Sequence, residues 1–186
     1  MSFILIFLLL FTNIHFINKT HYNTSELYYY QNNNETNKIS KAAETVSNYY
    51  KDLVKALAFR ESTNNWKAYN SKSKAIGKYQ FTACALKQIG VNIDYASFVK
   101  DPNIWPEKEQ DQAMLKLIKH NKKTLSKYIH KYKGQSINNI KISERNLIAA
   151  AHLAGAGGVM NWIDTSGSYN PSDGHTRISD YLAYFE

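Results

Sequence analysis

The sequence predicts a mainly α-helical domain, on three observations. Apolar residues recur at helical intervals in several stretches. No alternating strand pattern persists beyond a few residues, and helix start and stop signals bracket the periodic stretches. The chain has 186 residues, the size of one ordinary domain. With 44% apolar and 20% charged residues it can bury a core. Three prolines and eight glycines exclude collagen-like and proline-rich architectures. The single cysteine, Cys84, excludes an intrachain disulfide framework and a cysteine zinc cluster.

Taken in order, the first element is the apolar run Phe3–Phe11. Extended to Ile17 it covers about 15 residues, short of the roughly 20 that span a bilayer, and it suits a secretory signal better. No Lys or Arg precedes it, and no small-x-small cleavage site is evident. A cleaved signal and an uncleaved membrane anchor both fit residues 1–17; a buried N-terminal helix is the bland alternative. Residues 18–41 are polar and of low complexity, as in the run from Tyr28 to Asn37, and read as a linker. Residues 42–186 form the expected folded domain. The chain carries a formal +8, and before Thr45 Lys19, Lys38 and Lys41 offset Glu26, Glu35 and Glu44. The whole excess therefore falls on residues 45–186 and favours an anionic partner. For an exported protein in the periplasm or cell envelope, that partner is a cell-wall or membrane polymer rather than nucleic acid.

Within the domain, Val46, Tyr50, Leu53 and Leu57 step by four, three and four, which predicts a first helix. One more step of four reaches Glu61. A short helix is expected from Thr82 to Ile89, closing on Gly90. Another spans about Glu107 to Lys123, with Pro106 at its first turn, acids at its start and lysines at its end. A further helix takes Ser143 as N-cap, runs through Leu147, Ile148 and Ala151, and stops near Gly155. The tail from Asp173 to Leu182 reads as a turn entering a closing helix, with Asp173 and Thr176 as cap and turn residues.

Glu61 is the sharpest chemical candidate. It prolongs the apolar stripe of a helix, where a carboxylate is costly to bury. Burial and the negative end of the helix dipole both favour a carboxyl that keeps its proton. A protonated carboxyl is what a general acid requires. The bland alternative is a solvated helix-terminal Glu paired with Arg60. After Glu61 and Ser62 come Asn64, Asn65, Trp66, Tyr69 and Asn70. Aromatic rings stack on sugar C–H faces and amides bond sugar hydroxyls; a polar loop with Trp66 tucked into the core is the competing reading. In the following Ala75-Ile-Gly-Lys-Tyr-Gln-Phe81, Gly77 permits close backbone approach and Gln80 both donates and accepts.

In this order, Glu-Ser, an Asn- and aromatic-bearing loop and Ala-x-Gly-x-x-Gln resemble the lysozyme-like lytic transglycosylases, the SLT-domain group related to goose-type lysozyme. The block Ile148-Ala-Ala-Ala-His-Leu-Ala-Gly-Ala-Gly-Gly-Val159 is similar to that family's Ala-rich helix and its Tyr-Asn-Ala-Gly motif. His152-Leu153 stands where the commoner motif has Tyr-Asn, which puts His152 at the position of a tyrosine beside the catalytic acid. The Gly-Lys-Tyr-Gln-Phe and His-Leu-x-Gly forms and the Asp173–Leu182 tail resemble a divergent subgroup of exported bacterial enzymes. The resemblance, over about Val46 to Glu186, implies a lysozyme-like α domain with an active-site groove. It implies cleavage of the β-1,4 bond between N-acetylmuramic acid and N-acetylglucosamine in peptidoglycan, by Glu61 as acid and then base, giving 1,6-anhydro ends. Ser62 would orient the reacting groups; Tyr79, Gln80 and the main chain near Ala154 would hold the glycan. No cofactor is implied. A lysozyme-like hydrolase and a catalytically inactive glycan-binding module are the alternatives.

The remaining candidates are plainer. None of the six histidines forms a ligand-spaced pair, so no metal site is expected. His120 and His130 are expected in solvent, as is the lysine-rich face of Lys116–Lys133. Cys84 is expected as a small buried hydrophobe. Asp94, Asp164 and Asp180 could supply a hydrolase's second carboxylate, but no motif selects one. A monomer is expected, tethered to the membrane only if the leader is retained.

Overall fold

A computed structural model describes residues 50–172 and 174–186. The apolar leader, the polar linker, Val46 and Asp173, with the readings placed on them, lie outside the described residues. Helix α1 (Lys51–Ser62) follows from the spacing of Tyr50, Leu53 and Leu57, and all three side chains are buried. Thr63 ends it in the left-handed region at φ 56°. The N–H groups of Thr63 and Asn64 turn back to the carbonyls of Phe59 and Ala58. Glu61 thus stands in the last turn, on the rim of the face that Leu57 and Ala58 bury.

Two short antiparallel strands follow, β1 (Tyr69–Asn70) and β2 (Ala75–Ile76). Helix α2 (Ala83–Gln88) starts where the Thr82 hydroxyl accepts the Ala85 N–H, and Gly90 follows at φ 68°. Cys84 is exposed, not buried. The helix turns Leu86 into the core, and a residue two places away points to the opposite side. Helix α3 (Tyr95–Lys100) is capped by Asp94, which accepts N–H bonds from Ala96 and Ser97. A 3-10 turn (Pro102–Ile104) leads to α4 (Glu107–Thr124), close to its expected span. Helix α5 (Ser126–Tyr132) and a second pair, β3 (Ser136–Ile137) and β4 (Ile140–Lys141), precede α6 (Glu144–Asp164). Neither α3 nor α5 is expected from local pattern. Each is under two turns and is held by one buried side chain, Phe98 or Ile129.

Ser143 and Asn146 cap α6 reciprocally, Ser143 as predicted. The expected stop at Gly155 is a break, with φ 70° and ψ 160°, after which the helix resumes to Asp164. Glycine tolerates that backbone, and the buried Val159, Trp162 and Ile163 recover the packing beyond it. The closing helix α7 (Ile178–Tyr184) packs on α6, which also rests on α1 and α4. The described residues thus share one core. The fold is mainly α, as the sequence predicts. Among the described residues no helix is long and apolar enough to cross a membrane. His120, His130 and the lysines of residues 116–133 are exposed.

The start of α1 is tied to the start of α6. The Tyr50 hydroxyl donates to Glu144, and Lys122 pairs with the same carboxylate at 2.9 Å. Burial pushes the Tyr50 hydroxyl up to about 12, with the Glu144 hydrogen bond adding to it. Burial pulls the Glu144 carboxyl upward too, but the bonds from Tyr50 and Lys122 outweigh it and hold Glu144 below the usual carboxylate range. A carboxylate lowered on folding stabilises the fold above its unfolded value and loses that contribution as pH falls through its folded value. Glu144→Gln is therefore expected to be less stable than wild type in urea unfolding at pH 7. The gap should close as pH drops below about 4.3, the ordinary glutamate value.

Candidate active site

The last turn of α1, the β1–β2 hairpin, the loop 77–80, the middle of α6 and the start of α7 surround a cleft of ≈540 Å³. Glu61 and Arg60 line it from α1, Asn70, Lys72 and Ser73 from the hairpin, and Gln80 from the loop. His152 and Leu153 of α6 face them, with Tyr181 of α7. Glu61 is the one carboxylate among the described residues that line it.

Three helices meet at Glu61. Its side chain is 18% exposed. The Tyr181 hydroxyl, itself buried, donates to Glu61 Oε1. Burial, and then the charge of Glu61, push that hydroxyl far above the usual phenol range, so it stays a donor. Arg60 lies over the rings of Tyr181 and Tyr184, 4.6 and 4.4 Å from their centres, and holds the tyrosine from its other side. His152 Nε2 lies 3.8 Å from Glu61 Oε1, beyond hydrogen-bond reach. Nε2 instead donates to the Tyr79 carbonyl at 2.8 Å. That bond fixes the Nε2–H tautomer, and Nδ1 is buried with no partner among the described residues. His152 thus supports the wall behind Glu61 and leaves the carboxyl open to the cleft.

The loop 77–80 is fastened on every side. A backbone bridge between Ile76 and Phe81 closes it. The Ser62 hydroxyl donates to the Lys78 carbonyl at 2.7 Å, tying the loop to the residue after Glu61. From α4, Gln110 accepts the Lys78 N–H at 2.7 Å and donates to the carbonyls of Trp66 and Trp105, each at 2.8 Å. Lys78 pairs with Glu107 and Asp111, and the Tyr79 hydroxyl donates to Asp111 at 2.6 Å. Gln80 then takes φ 49°, a left-handed conformation uncommon outside glycine. A strained residue in a fully clamped loop at the mouth of a cleft points to function.

The structure thus brings Glu61, Gln80 and His152 to one cleft. Ser62, Gly77 and Tyr79 lie behind it as its support. Tyr79 is fully buried, so its side chain has no access to a ligand. Ala154 is not among the lining residues and lies against Gly158, next to the break at Gly155. Trp66 is half-buried and contributes its carbonyl to Gln110 rather than its ring to the cleft. Asp94, Asp164 and Asp180 are engaged elsewhere: Asp94 and Asp180 in helix caps, Asp164 with the Tyr128 hydroxyl at 2.6 Å. Of the lining, Asn70 is one of the amides expected from sequence, whereas Arg60, Lys72, Ser73 and Tyr181 are not expected as site residues. The signal for Tyr181 was a phenol within the apolar stripe of Ile178, Leu182 and Phe185. Among the described residues no cluster of three or more His, Cys, Asp or Glu is placed to hold a metal.

The family model described as the transglycosylase SLT domain matches residues 38–173 of this chain. No curated protein and no solved structure matches it. The matched residues hold Glu61, the loop 77–80 and His152; Tyr181 lies beyond them.

A Cβ on Gly77 would sit 2.4 Å from Gln110 Oε1, at φ 76°. Gly77→Ala is expected to destabilise the domain by about 2 kcal/mol or more, through backbone strain and a displaced buried amide. Urea unfolding measures the loss.

Proposed function

The chain belongs to the transglycosylase SLT domain family, whose substrate is peptidoglycan, and on that premise we propose that it is a lytic transglycosylase with Glu61 as its acid and base. The observation that carries the reading is the state of Glu61. A single carboxyl, largely shielded from water, faces the cleft and is held by the Tyr181 hydroxyl.

The glycan strand would lie across the cleft, with its β-1,4 bond between N-acetylmuramic acid and N-acetylglucosamine at Glu61. The protonated carboxyl gives its proton to the glycosidic oxygen as that bond to C1 breaks, and positive charge develops on the muramoyl ring. The glucosamine leaves as the alcohol. The carboxylate then takes the proton of the muramoyl 6-hydroxyl while O6 bonds to C1, which gives the 1,6-anhydro end and restores the acid. Tyr181 supports both stages: its donor bond orients the carboxyl and stabilises the charged form after proton transfer. Gln80 and Asn70 offer amides for sugar hydroxyls, and Arg60 and Lys72 offer cations for the carboxylates of the wall polymer.

A glycosidase that activates water by the usual route needs a second carboxylate about 5–9.5 Å from the first. None of the described lining residues other than Glu61 supplies one, and Asp94, Asp164 and Asp180 are engaged elsewhere. This favours the lyase over the hydrolase. The same reading makes the protein an envelope enzyme. Residues 1–17 would direct or anchor it, 18–41 would tether it, and 42–186 would act.

Glu61→Gln keeps the shape and removes the transferable proton. It is expected to lower cleavage of purified sacculi by about 10²–10⁴-fold. Tyr181→Phe should lower it by about tenfold, the rate equivalent of roughly 1.4 kcal/mol of lost positioning. Mass spectrometry of the released fragments reads the product. Anhydromuramoyl ends are expected; reducing ends would make the enzyme a hydrolase, and undiminished cleavage by Glu61→Gln would remove Glu61 from the reaction.

A further inference from the structure

A second hollow, of ≈720 Å³, adjoins the cleft and shares Ser73 and Thr82 with it. It lies between the β1–β2 hairpin and the outer faces of α2 and α3. Leu86 and Phe98 turn the other faces of those helices into the core. What faces outward is apolar: Cys84 is exposed, Val99 is 46% exposed, and Tyr69 is 37% exposed. Tyr95 forms part of the wall, its hydroxyl spent on the Phe81 carbonyl at 3.1 Å. Lys74 and Lys100 also line the hollow, and both are exposed.

The lining places Cys84 and Val99 where sugar hydroxyls would lose water without gaining partners, while the rings of Tyr69 and Tyr95 accept C–H groups of any kind. It suits a ligand with small alkyl groups and carboxylates. Peptidoglycan carries such a ligand on the strand itself: each muramoyl lactyl group bears a short peptide, rich in alanine methyls and free carboxylates. Ser73 and Thr82 line both the cleft and the hollow, so a strand seated at Glu61 would run beside the hollow.

We propose that the hollow binds the peptide substituent of the glycan strand, with methyl groups against Val99 and Cys84 and carboxylates at Lys74 and Lys100. The inference rests on the strand lying in the Glu61 cleft, as proposed above. It adds a specificity: the protein distinguishes peptide-bearing from naked glycan.

Cys84 reports directly on occupancy, because it is exposed and the chain has no other cysteine. The full chain carrying Glu61→Gln, which binds without turnover, is labelled with N-ethylmaleimide in the presence of glycan strands. One strand preparation keeps its peptides; the other has been stripped by an amidase. Peptide-bearing strands at ten times their dissociation constant should slow labelling about tenfold, and stripped strands should leave it unchanged. Adding Lys74→Glu and Lys100→Glu should weaken binding of the peptide-bearing strands about fivefold or more, with binding of stripped strands unaffected. Equal protection by both preparations, protection by neither, or protection indifferent to the two lysines would each overturn the proposal. Cleavage of sacculi by the wild-type chain is scored separately. Failure of catalysis with peptide-dependent protection intact would count against the lyase alone.

Discussion

A carboxyl group at the end of one helix is held by a hydroxyl from another, and the packing of three helices sets that contact at the wall of the cleft. Glu61 stands in the last turn of α1, where the core meets the cleft. The Tyr181 hydroxyl holds it there, and Arg60, stacked on the same ring, keeps the phenol in place. Burial keeps that phenol protonated, so it is a donor whatever the state of the carboxyl. The arrangement requires α1 and α7, which are far apart in sequence, to be packed on the one long helix between them. The bond from Tyr50 to Glu144 at the other end of α1 fixes that packing.

The loop opposite Glu61 is fastened with equal care, and by different means. Its backbone groups are met in turn by Ser62, Gln110 and His152. Gln110 is fully buried, and each of its three bonds goes to main chain, so it acts as a spacer of fixed length between α4 and the loop. Such a buried amide is tolerable only when fully paired. His152 completes the set by reaching from α6 to the Tyr79 carbonyl. His152 thus braces the loop from α6, and the phenol beside Glu61 comes from α7. The ridge of Ser73 and Thr82 links this rigid cleft to an apolar hollow with lysines in its wall.

Much of this was legible in the residues. Three helices were marked by their own punctuation, Thr82, Pro106 and Ser143 at their starts and Gly90 past the end of α2, whereas Gly155 marks a break inside α6 and not its end. Glu61 stood out because a helical stripe of apolar residues ran straight into it. Helices α3 and α5 escaped because each is too short to show a period. Cys84 was misjudged because a cysteine says nothing about which side of a six-residue helix it occupies. Tyr79 is expected to hold the glycan and Ser62 to orient the reacting groups, whereas their side chains face a neighbouring helix and the loop's own backbone. Tyr181 was hidden in plain sight as one more apolar residue of the closing helix.

The sequence by itself determined the helical class and marked Glu61 and the loop that faces it, because periodicity, caps and short motifs are local properties of the chain. Only the tertiary structure decided which side chains touch Glu61. That choice depends on how α6 resumes beyond Gly155 and how α7 folds back over it. Contacts across 120 residues follow from packing, and no local pattern in the chain records them.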